Sequence, residues 1–392
     1  MKVLMVISQF HPIIGGAERQ AQFLAQKLIE KGLQVKVVTG WWKLRTPRKE
    51  TINGVKVFRN FCCWGLFGIR GMRFLGVFFY AISLGIYLLT NRKEYDIIHV
   101  HQVLYPAFIS TFIAKGILKK PVLAKMGCSG LTSDIRNLKR FPFGSLQLRY
   151  LIKKLDYLVT VNNEGGEEFH ALGYPSGRIL SIPNGVALPS DGKGKYDQVL
   201  FVITTVRLDK QKGIDILLKA WAGVVTHENN LNLLIIGKGP HERELKDLCQ
   251  SLGISDSVKF MGEVIQVEEQ LKKSDIFVLA SRAEGMSNSL LEAMSHGLTC
   301  IATNISGNAE LMGMGENSRI PKGNFTATPN GLLFQPEDID GLTKAILFLV
   351  RNPKKRENLG RSGRQYIQKN FSIDLVAEKY ITLYQRMLNR KS

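Results

Sequence analysis

Twice along this chain, short uninterrupted apolar runs alternate with stretches of helical period, and that pattern leaves few folds open. The first set of runs covers residues 3–8, 35–39, 97–101, 122–125 and 157–161, with helical patterns such as 18–31 between them. The second covers 200–206, 232–236, 258–261, 276–280 and 298–303, with helical patterns near 214–225, 241–252 and 289–295. A strand apolar on both faces has to be covered on both sides, and a helix between two such strands makes a parallel crossover. The reading is therefore α/β: two Rossmann-like domains, each a doubly wound parallel sheet. A chain of 392 residues is long enough for both. Residues 187–196 are small, polar and Gly-rich, as a linker is. The expected domains are 1–187 and 188–372, followed by a terminal helical segment, 373–392. Open parallel sheets take their ligands beyond the carboxyl ends of the strands, so the cleft between two facing sheets is the expected active site.

Composition narrows the partners. Five cysteines, Cys62, Cys63, Cys128, Cys249 and Cys300, are an odd number at no metal-like spacing. That disfavours zinc and a disulfide framework, and it fits a reducing cytosol. The opening apolar run is too short for a secretory signal and lacks a small-residue cleavage site, so the protein is read as cytoplasmic. Charge is uneven. Residues 1–190 hold 26 Lys+Arg and 10 Asp+Glu, a net of +16, whereas 191–392 hold 27 and 23, a net of +4. The basic half is expected to face something anionic, either lipid or a phosphorylated acceptor. No nucleic-acid motif is present in the sequence, so nucleic acid is not expected as a partner.

Glu284-Gly-Met-Ser-Asn-Ser-Leu-Leu-Glu292 lies between a strand pattern and a helical one, with carboxylates eight residues apart. The strand end carries Glu284. The helix then offers free amides and the positive end of its dipole, with Glu292 following. Amides for an anion and carboxylates for hydroxyls suit a ligand that carries both phosphate and polyols. In Val206-Arg-Leu-Asp-Lys-Gln-Lys-Gly213, Arg207 and Lys212 flank a strand-to-helix turn and can converge on one anion. Pro12-Ile-Ile-Gly-Gly-Ala-Glu-Arg19 places Gly15 and Gly16 at a helix start, where backbone and ligand can approach closely, while Glu18 could equally serve the helix dipole. His99 and His101 share one face of a strand, His101 nearer its carboxyl end, and no third metal ligand lies nearby. Asp338-Ile-Asp340 has the Asp-x-Asp spacing of metal-dependent transferases, but its position at a helix start reads as capping.

Together these motifs resemble the family-4 retaining glycosyltransferases, which have the GT-B fold. The resemblance covers nearly the whole chain and is strongest from Arg207 to Glu310, including the Gly307-x-x-Glu310 tail. It implies that Glu284 reads the donor sugar, beside the amides of Gly285, Met286 and Ser287. Those of Ser289 and Leu290 would meet the diphosphate, Glu292 the ribose, and Arg207 and Lys212 would clamp the pyrophosphate. Gly15, Gly16 and His101 become active-site residues by the same likeness. The terminal helix would cross back to the first domain. No bound metal and no cofactor are implied, only a nucleotide-diphosphate sugar as co-substrate. One departure stands out. Relatives often carry a histidine at the strand end where this chain reads Val122-Leu-Ala-Lys-Met-Gly-Cys-Ser-Gly130, so Ser129 or the backbone around it is the acceptor-side candidate.

The expected function is transfer of a sugar from that donor to a glycan or lipid-linked acceptor, in cell-surface polysaccharide or glycolipid synthesis. The rival readings are a sugar-nucleotide epimerase of the same fold and a non-catalytic membrane-associated scaffold. The membrane question rests on residues 74–90, which carry no charge and are flanked by Arg70, Arg73, Arg92 and Lys93. Insertion across a bilayer would pull the following strand out of its sheet. The segment is therefore expected as a buried helix or an interfacial one, the latter giving peripheral attachment at an anionic inner membrane face.

Overall fold

The computed structural model describes residues 1–13, 15–62, 73–128, 133–189, 200–314 and 319–389. Ser129, most of the 187–196 linker and the Cys63–Phe67 part of the aromatic run before the apolar helix lie outside the described residues. The chain divides into two compact units, Met1–Gly185 with Ile373–Ser392, and Val186–Ser372.

The first unit contains β1 (Lys2–Val6), α1 (Gly16–Glu30), β2 (Gln34–Gly40), β3 (Lys49–Ile52), β4 (Val55–Asn60), α2 (Arg73–Thr90) and β5 (Ile97–His101). It continues with α3 (Tyr105–Ile113), β6 (Val122–Lys125), α4 (Asp134–Lys139), α5 (Gly144–Lys154), β7 (Tyr157–Thr160), α6 (Asn163–Ala171) and β8 (Ile179–Ser181). Its strands lie in the order β3-β4-β2-β1-β5-β6-β7-β8, parallel except for the β3–β4 hairpin. That hairpin turns on Asn53-Gly54, both at positive φ, the chemistry a tight two-residue turn demands.

Alternate residues of each central strand feed opposite faces. Val3, Met5, Val35, Val37, Ile97 and Leu123 pack under α1 and the C-terminal helix. Leu4, Val6, Ile98, Val100, Val122 and Ala124 pack under α2, α3 and α5. In α2, Tyr80, Leu84 and Leu88 repeat at helical spacing and are buried, which ties this largely apolar helix to the sheet.

The second unit contains β9 (Leu200–Thr205), α7 (Ile214–Val225), β10 (Leu231–Ile236), α8 (Glu242–Ser251), β11 (Val258–Gly262), α9 (Val267–Lys273), β12 (Ile276–Leu279) and α10 (Asn288–Ser295). After these come β13 (Thr299–Thr303), α11 (Ser306–Met312), β14 (Phe325–Thr328), β15 (Gly331–Phe334), α12 (Ile339–Arg351) and α13 (Pro353–Asn370). The order is β11-β10-β9-β12-β13-β15-β14, parallel apart from the β14–β15 edge hairpin. Asp338 caps α12, its carboxylate accepting from the amides of Gly341 (3.0 Å) and Gly323 (2.7 Å). The final helix, α14 (Ile373–Asn389), belongs to the first unit and packs along α1 through Val376, Ala377, Tyr380, Leu383 and Tyr384. Each unit is thus a doubly wound, Rossmann-like parallel sheet.

Candidate functional site

Strand order locates the ligand-binding end of each sheet. In the second unit the chain leaves β9, moves outward through β10 and β11, then returns to β12 on the other side of β9. β9 and β12 are hydrogen-bonded neighbours, so the loops that leave their carboxyl ends diverge at a topological switch point. Those two loops carry Arg207 and Lys212 on one side and Glu284 on the other. The first unit repeats the device at β1 and β5, whose following loops carry Gly15 and precede α3.

The β9 and β12 loops are stitched together by polar contacts. The Arg282 amide donates to the Gln211 carbonyl at 2.7 Å, and Gln211 Nε2 returns a bond to the Ala283 carbonyl at 2.7 Å. Lys212 Nζ donates to Glu284 Oε1 at 2.7 Å, and Ser281 Oγ donates to the same oxygen at 2.7 Å. The Glu284 side chain is only 8 % exposed, so these two donors fix one carboxylate oxygen. Gly213, at φ 62°, permits the approach, because a Cβ there would stand 2.0 Å from the Ala280 carbonyl oxygen. Gly307 does the same for the next turn, where a Cβ would meet the Gly285 carbonyl at 1.9 Å.

Arg282 braces the arrangement from outside. Its guanidinium takes both oxygens of Asp215 (2.9 and 2.8 Å) and also reaches Glu337. Burial pushes the Asp215 carboxyl up, but the hydrogen bonds and charge of Arg282 outweigh it and hold the group below its ordinary range.

Not every residue singled out from sequence meets the others. Arg207 is 72 % exposed and lies 3.8 Å from Asp209, while Lys212 turns to Glu284, so the two cations are not converged. Asp209 caps the short turn that follows, accepting from the Gln211 amide at 3.1 Å. Ser287 is the N-cap of α10, and its hydroxyl accepts from the Leu290 amide at 3.3 Å. That amide is therefore occupied by the cap, by a long bond that a stronger acceptor could replace. Ser289 and Glu292 sit half-buried in the first turns of α10, and Gly285 and Met286 are buried just before it.

In the first unit, Gly15 is the N-cap of α1. Burial raises the pKa of the Glu18 carboxyl, partly offset by its hydrogen bonds with the backbone at Glu18 and Gly15. Glu18 thus fills the dipole role that the sequence left open for it, as in a capping box. His101 is buried with its ring stacked on His99, centroids 4.4 Å apart, and its Nε2 has no hydrogen-bond partner among the described residues. His99 Nδ1 meets the Tyr384 hydroxyl of α14 at 2.7 Å. Burial drives His101 down to about 3 and holds His99 lower than its usual range, so both rings are neutral at physiological pH.

Two buried charges here escaped the sequence reading. Lys125, at the end of β6, donates to Asn184 Oδ1 at 2.8 Å, and burial lowers its amine to about 7. Asp134 accepts from the amides of Val103 (2.7 Å), Gly127 (2.9 Å) and Cys128 (3.2 Å), so one carboxylate pins the loops after β5 and β6. Burial lifts that carboxyl to about 6. Ser133-Asp134 at a helix start was the available signal, since an acid in a first turn is where such a clamp would sit. Among the described residues no group of three or more His, Cys, Asp or Glu side chains could hold a metal ion.

Comparison with known proteins agrees with the motifs. Residues 14–188 match the family described as Glycosyltransferase Family 4, and residues 190–366 match Glycosyl transferases group 1. Over 398 residues the chain is 25 % identical to an N-acetyl-alpha-D-glucosaminyl L-malate synthase of Bacillus anthracis, covering 96 % of each. It is 27 % identical over 331 residues to the phosphatidylinositol N-acetylglucosaminyltransferase GPI3 subunit of Saccharomyces cerevisiae, covering 79 % of this chain and 69 % of that one. Among solved structures, the Anabaena protein Alr3699/HepE in complex with UDP-glucose superposes with a TM-score of 0.74 at 17 % identity, over 98 % of this chain and 100 % of that one.

Proposed function

This chain is a member of the family-4 glycosyltransferases, and we propose that it moves a glycosyl unit from a nucleotide-diphosphate sugar to a glycan or lipid-linked acceptor with retention of configuration. The observation that carries this reading is the Lys212–Glu284 pair at the switch point of the second sheet, 2.7 Å apart and directly before the N-terminus of α10. A cation beside a half-sequestered carboxylate, next to the N-terminus of α10, can receive a phosphate and a polyol at once.

In this scheme Glu284 accepts hydrogen bonds from the donor sugar and Glu292 from the ribose. Gly285, Met286, Ser287 and Ser289 supply amides, and Lys212 moves toward the diphosphate. Arg207, exposed and able to swing, joins it there. The bond between the anomeric carbon and the diphosphate oxygen breaks, and the acceptor oxygen bonds the same carbon from the same face. The acceptor proton passes to the departing phosphate oxygen. We assign neutralisation of that leaving group to Lys212 and Arg207 rather than to a metal ion.

Acceptor recognition is assigned to the first unit, with Gly15, Gly16, His101 and Ser129 as its candidates. A lipid-linked acceptor at the inner face of the cell membrane is supported by the +16 charge of residues 1–190. The yeast relative is named for a phosphatidylinositol substrate, which points the same way.

Thermal shift against UDP-, GDP- and ADP-sugars tests the donor assignment, with Lys212→Ala and Glu292→Ala beside the parent. One nucleotide class should stabilise the parent, by about 2.7 kcal/mol at a hundredfold excess over Kd, and neither variant to that degree. A folded parent indifferent to every donor would reject the assignment. Donor interconversion without acceptor would replace transfer by epimerisation.

A further inference from the structure

Helix α2 is apolar on two opposite faces, and among the described residues only one of them is covered. Tyr80, Leu84 and Leu88 face the sheet, whereas Leu75, Phe78, Ile82 and Ile86 recur at the same spacing on the other side and are exposed, Ile86 at 56 %. A helix that carries no charge from residue 74 to residue 90 and leaves an apolar stripe exposed is poorly suited to water. The stripe does not stand alone. α3 and α5 lie with α2 over the same sheet face, and they and the residue preceding α5 also leave large apolar side chains in solvent: Phe112 (48 %), Leu146 (64 %) and Phe143 (80 %). Phe112 and Tyr150 join α3 to α5, with ring centroids 5.8 Å apart.

The charge around this face is predominantly positive. Residues 51–155 contain sixteen Lys+Arg and three Asp+Glu. Each of the three acids is engaged elsewhere: Glu94 with Lys36, Asp96 with the Lys2 amide, and Asp134 with the loops after β5 and β6. In a parallel sheet the segments joining α2 to β5, α3 to β6 and α5 to β7 emerge at one end, and there Arg92, Lys93, Lys119, Lys153 and Lys154 are exposed or nearly so. At the opposite end Arg136, Lys139 and Arg140 stand beside Phe143. Among the described residues no helix is long and apolar enough to cross a membrane, so this surface has to act from outside the hydrocarbon core.

We propose that the outer face of α2, α3 and α5 docks on an anionic lipid bilayer, with Phe78, Ile82, Ile86 and Phe143 entering the headgroup boundary and the flanking lysines and arginines meeting lipid phosphates. A protein partner would cover the apolar stripe equally well. A basic rim at both ends, with sixteen cations to three acids over residues 51–155, complements a negatively charged plane instead. The proposal deepens the lipid-linked-acceptor reading and rests on it for its purpose. Its physical content is read without donor or acceptor, so either can fail alone.

Flotation of the full chain with phosphatidylcholine vesicles, with and without about a third phosphatidylglycerol, tests it. The parent should float with the anionic vesicles and stay behind with the neutral ones. Phe78→Ser/Ile82→Ser/Ile86→Ser should lower the bound fraction at least about tenfold with an unchanged melting temperature. Phe143→Ser/Leu146→Ser, on a different helix, should lower it several-fold, as should Arg92→Glu/Lys93→Glu/Lys119→Glu. Parent-like flotation of all three variants would overturn the proposal, as would no flotation of the parent at low salt. A parent that fails to float but self-associates, and that the triple serine variant renders monomeric, would assign the face to a second copy of the chain.

Discussion

The two units share one architecture and differ in what they present to their surroundings. Among the described residues of the second unit only Leu188, Met261 and Ile265 are large exposed hydrophobics, whereas the first unit exposes a stripe of them on α2, with Phe112 on α3 and Phe143 and Leu146 at the start of α5. The second unit is also nearly neutral, and several of its loop charges are paired: Lys212 on Glu284, Arg282 on Asp215. In the first, the corresponding strand ends bury bases instead, with His99 against His101 and Lys125 on Asn184. On the proposed reading, one sheet design carries a charged anion-and-polyol site in one copy and a lipid-facing surface in the other. Fold alone does not choose between them; side chains at strand ends and on outer helix faces do.

The largest expected effect separates the units by activity. Glu284→Ala should lower turnover at least about a hundredfold, because it removes an acceptor aimed at the donor and frees Lys212. Phe78→Ser/Ile82→Ser/Ile86→Ser should leave turnover on a soluble acceptor near the parent value. If both variants lose activity alike in a soluble assay, the division of labour fails.

A second contrast is stability without ligand. Lys212→Ala should cost about 1–3 kcal/mol in denaturant unfolding, since it leaves a mostly buried carboxylate with Ser281 as its remaining named donor. Lys212→Arg should recover part of that.

The buried bases of the first unit predict a pH dependence. Unfolded, His99 and His101 take up protons near their ordinary value of about 6.5. Folded, burial keeps His101 neutral down to about 3 and holds His99 below its ordinary range as well. The unfolded chain then binds more protons, so stability falls as pH is lowered from about 6.5 toward the folded value of His101. Asp134, lifted to about 6 by burial, has the opposite sign, since the folded state gains its proton first between about 4 and 6. It offsets part of the loss. His101→Gln should flatten the fall in melts taken between neutral and mildly acid pH, and an unchanged slope would show that the ring titrates in the folded protein. The smallest effect is expected from Arg282→Met, about 1 kcal/mol because the guanidinium is partly exposed, together with a few-fold rise in KM for the donor.

Much of the fold was legible because buried parallel strands have to be continuously apolar: residues 97–101 and 122–125 carry the expected bounds, and α7 begins and ends where its period does. The edge hairpins were not read, although Asn53-Gly54 between β3 and β4 is a strong turn signal, because the search for apolar runs passes over half-polar edge strands. In the site, motif spacing identified Lys212 and Glu284 separately but not as partners. Their sequence separation is 72 residues, and only the adjacency of β9 and β12 brings them together. Arg282 and Asp215, which brace the same two loops, were missed for that reason. Lys125 was missed for another: inside an apolar strand pattern a lysine reads as the strand's end, not as a buried amine. For residues 74–90 the sequence posed a choice between a buried and an interfacial helix. α2 has one buried face and one exposed apolar face, so neither reading describes the whole helix.

Hydrogen–deuterium exchange of the full chain, measured once with a saturating nucleotide sugar and once with anionic vesicles, tests the division between units most directly. The account predicts that donor slows exchange in residues 206–213 and 281–292 of the second unit, and that vesicles slow it in α2, α3 and α5 of the first. Donor protection confined to the first unit, or vesicle protection centred on α10, would contradict it.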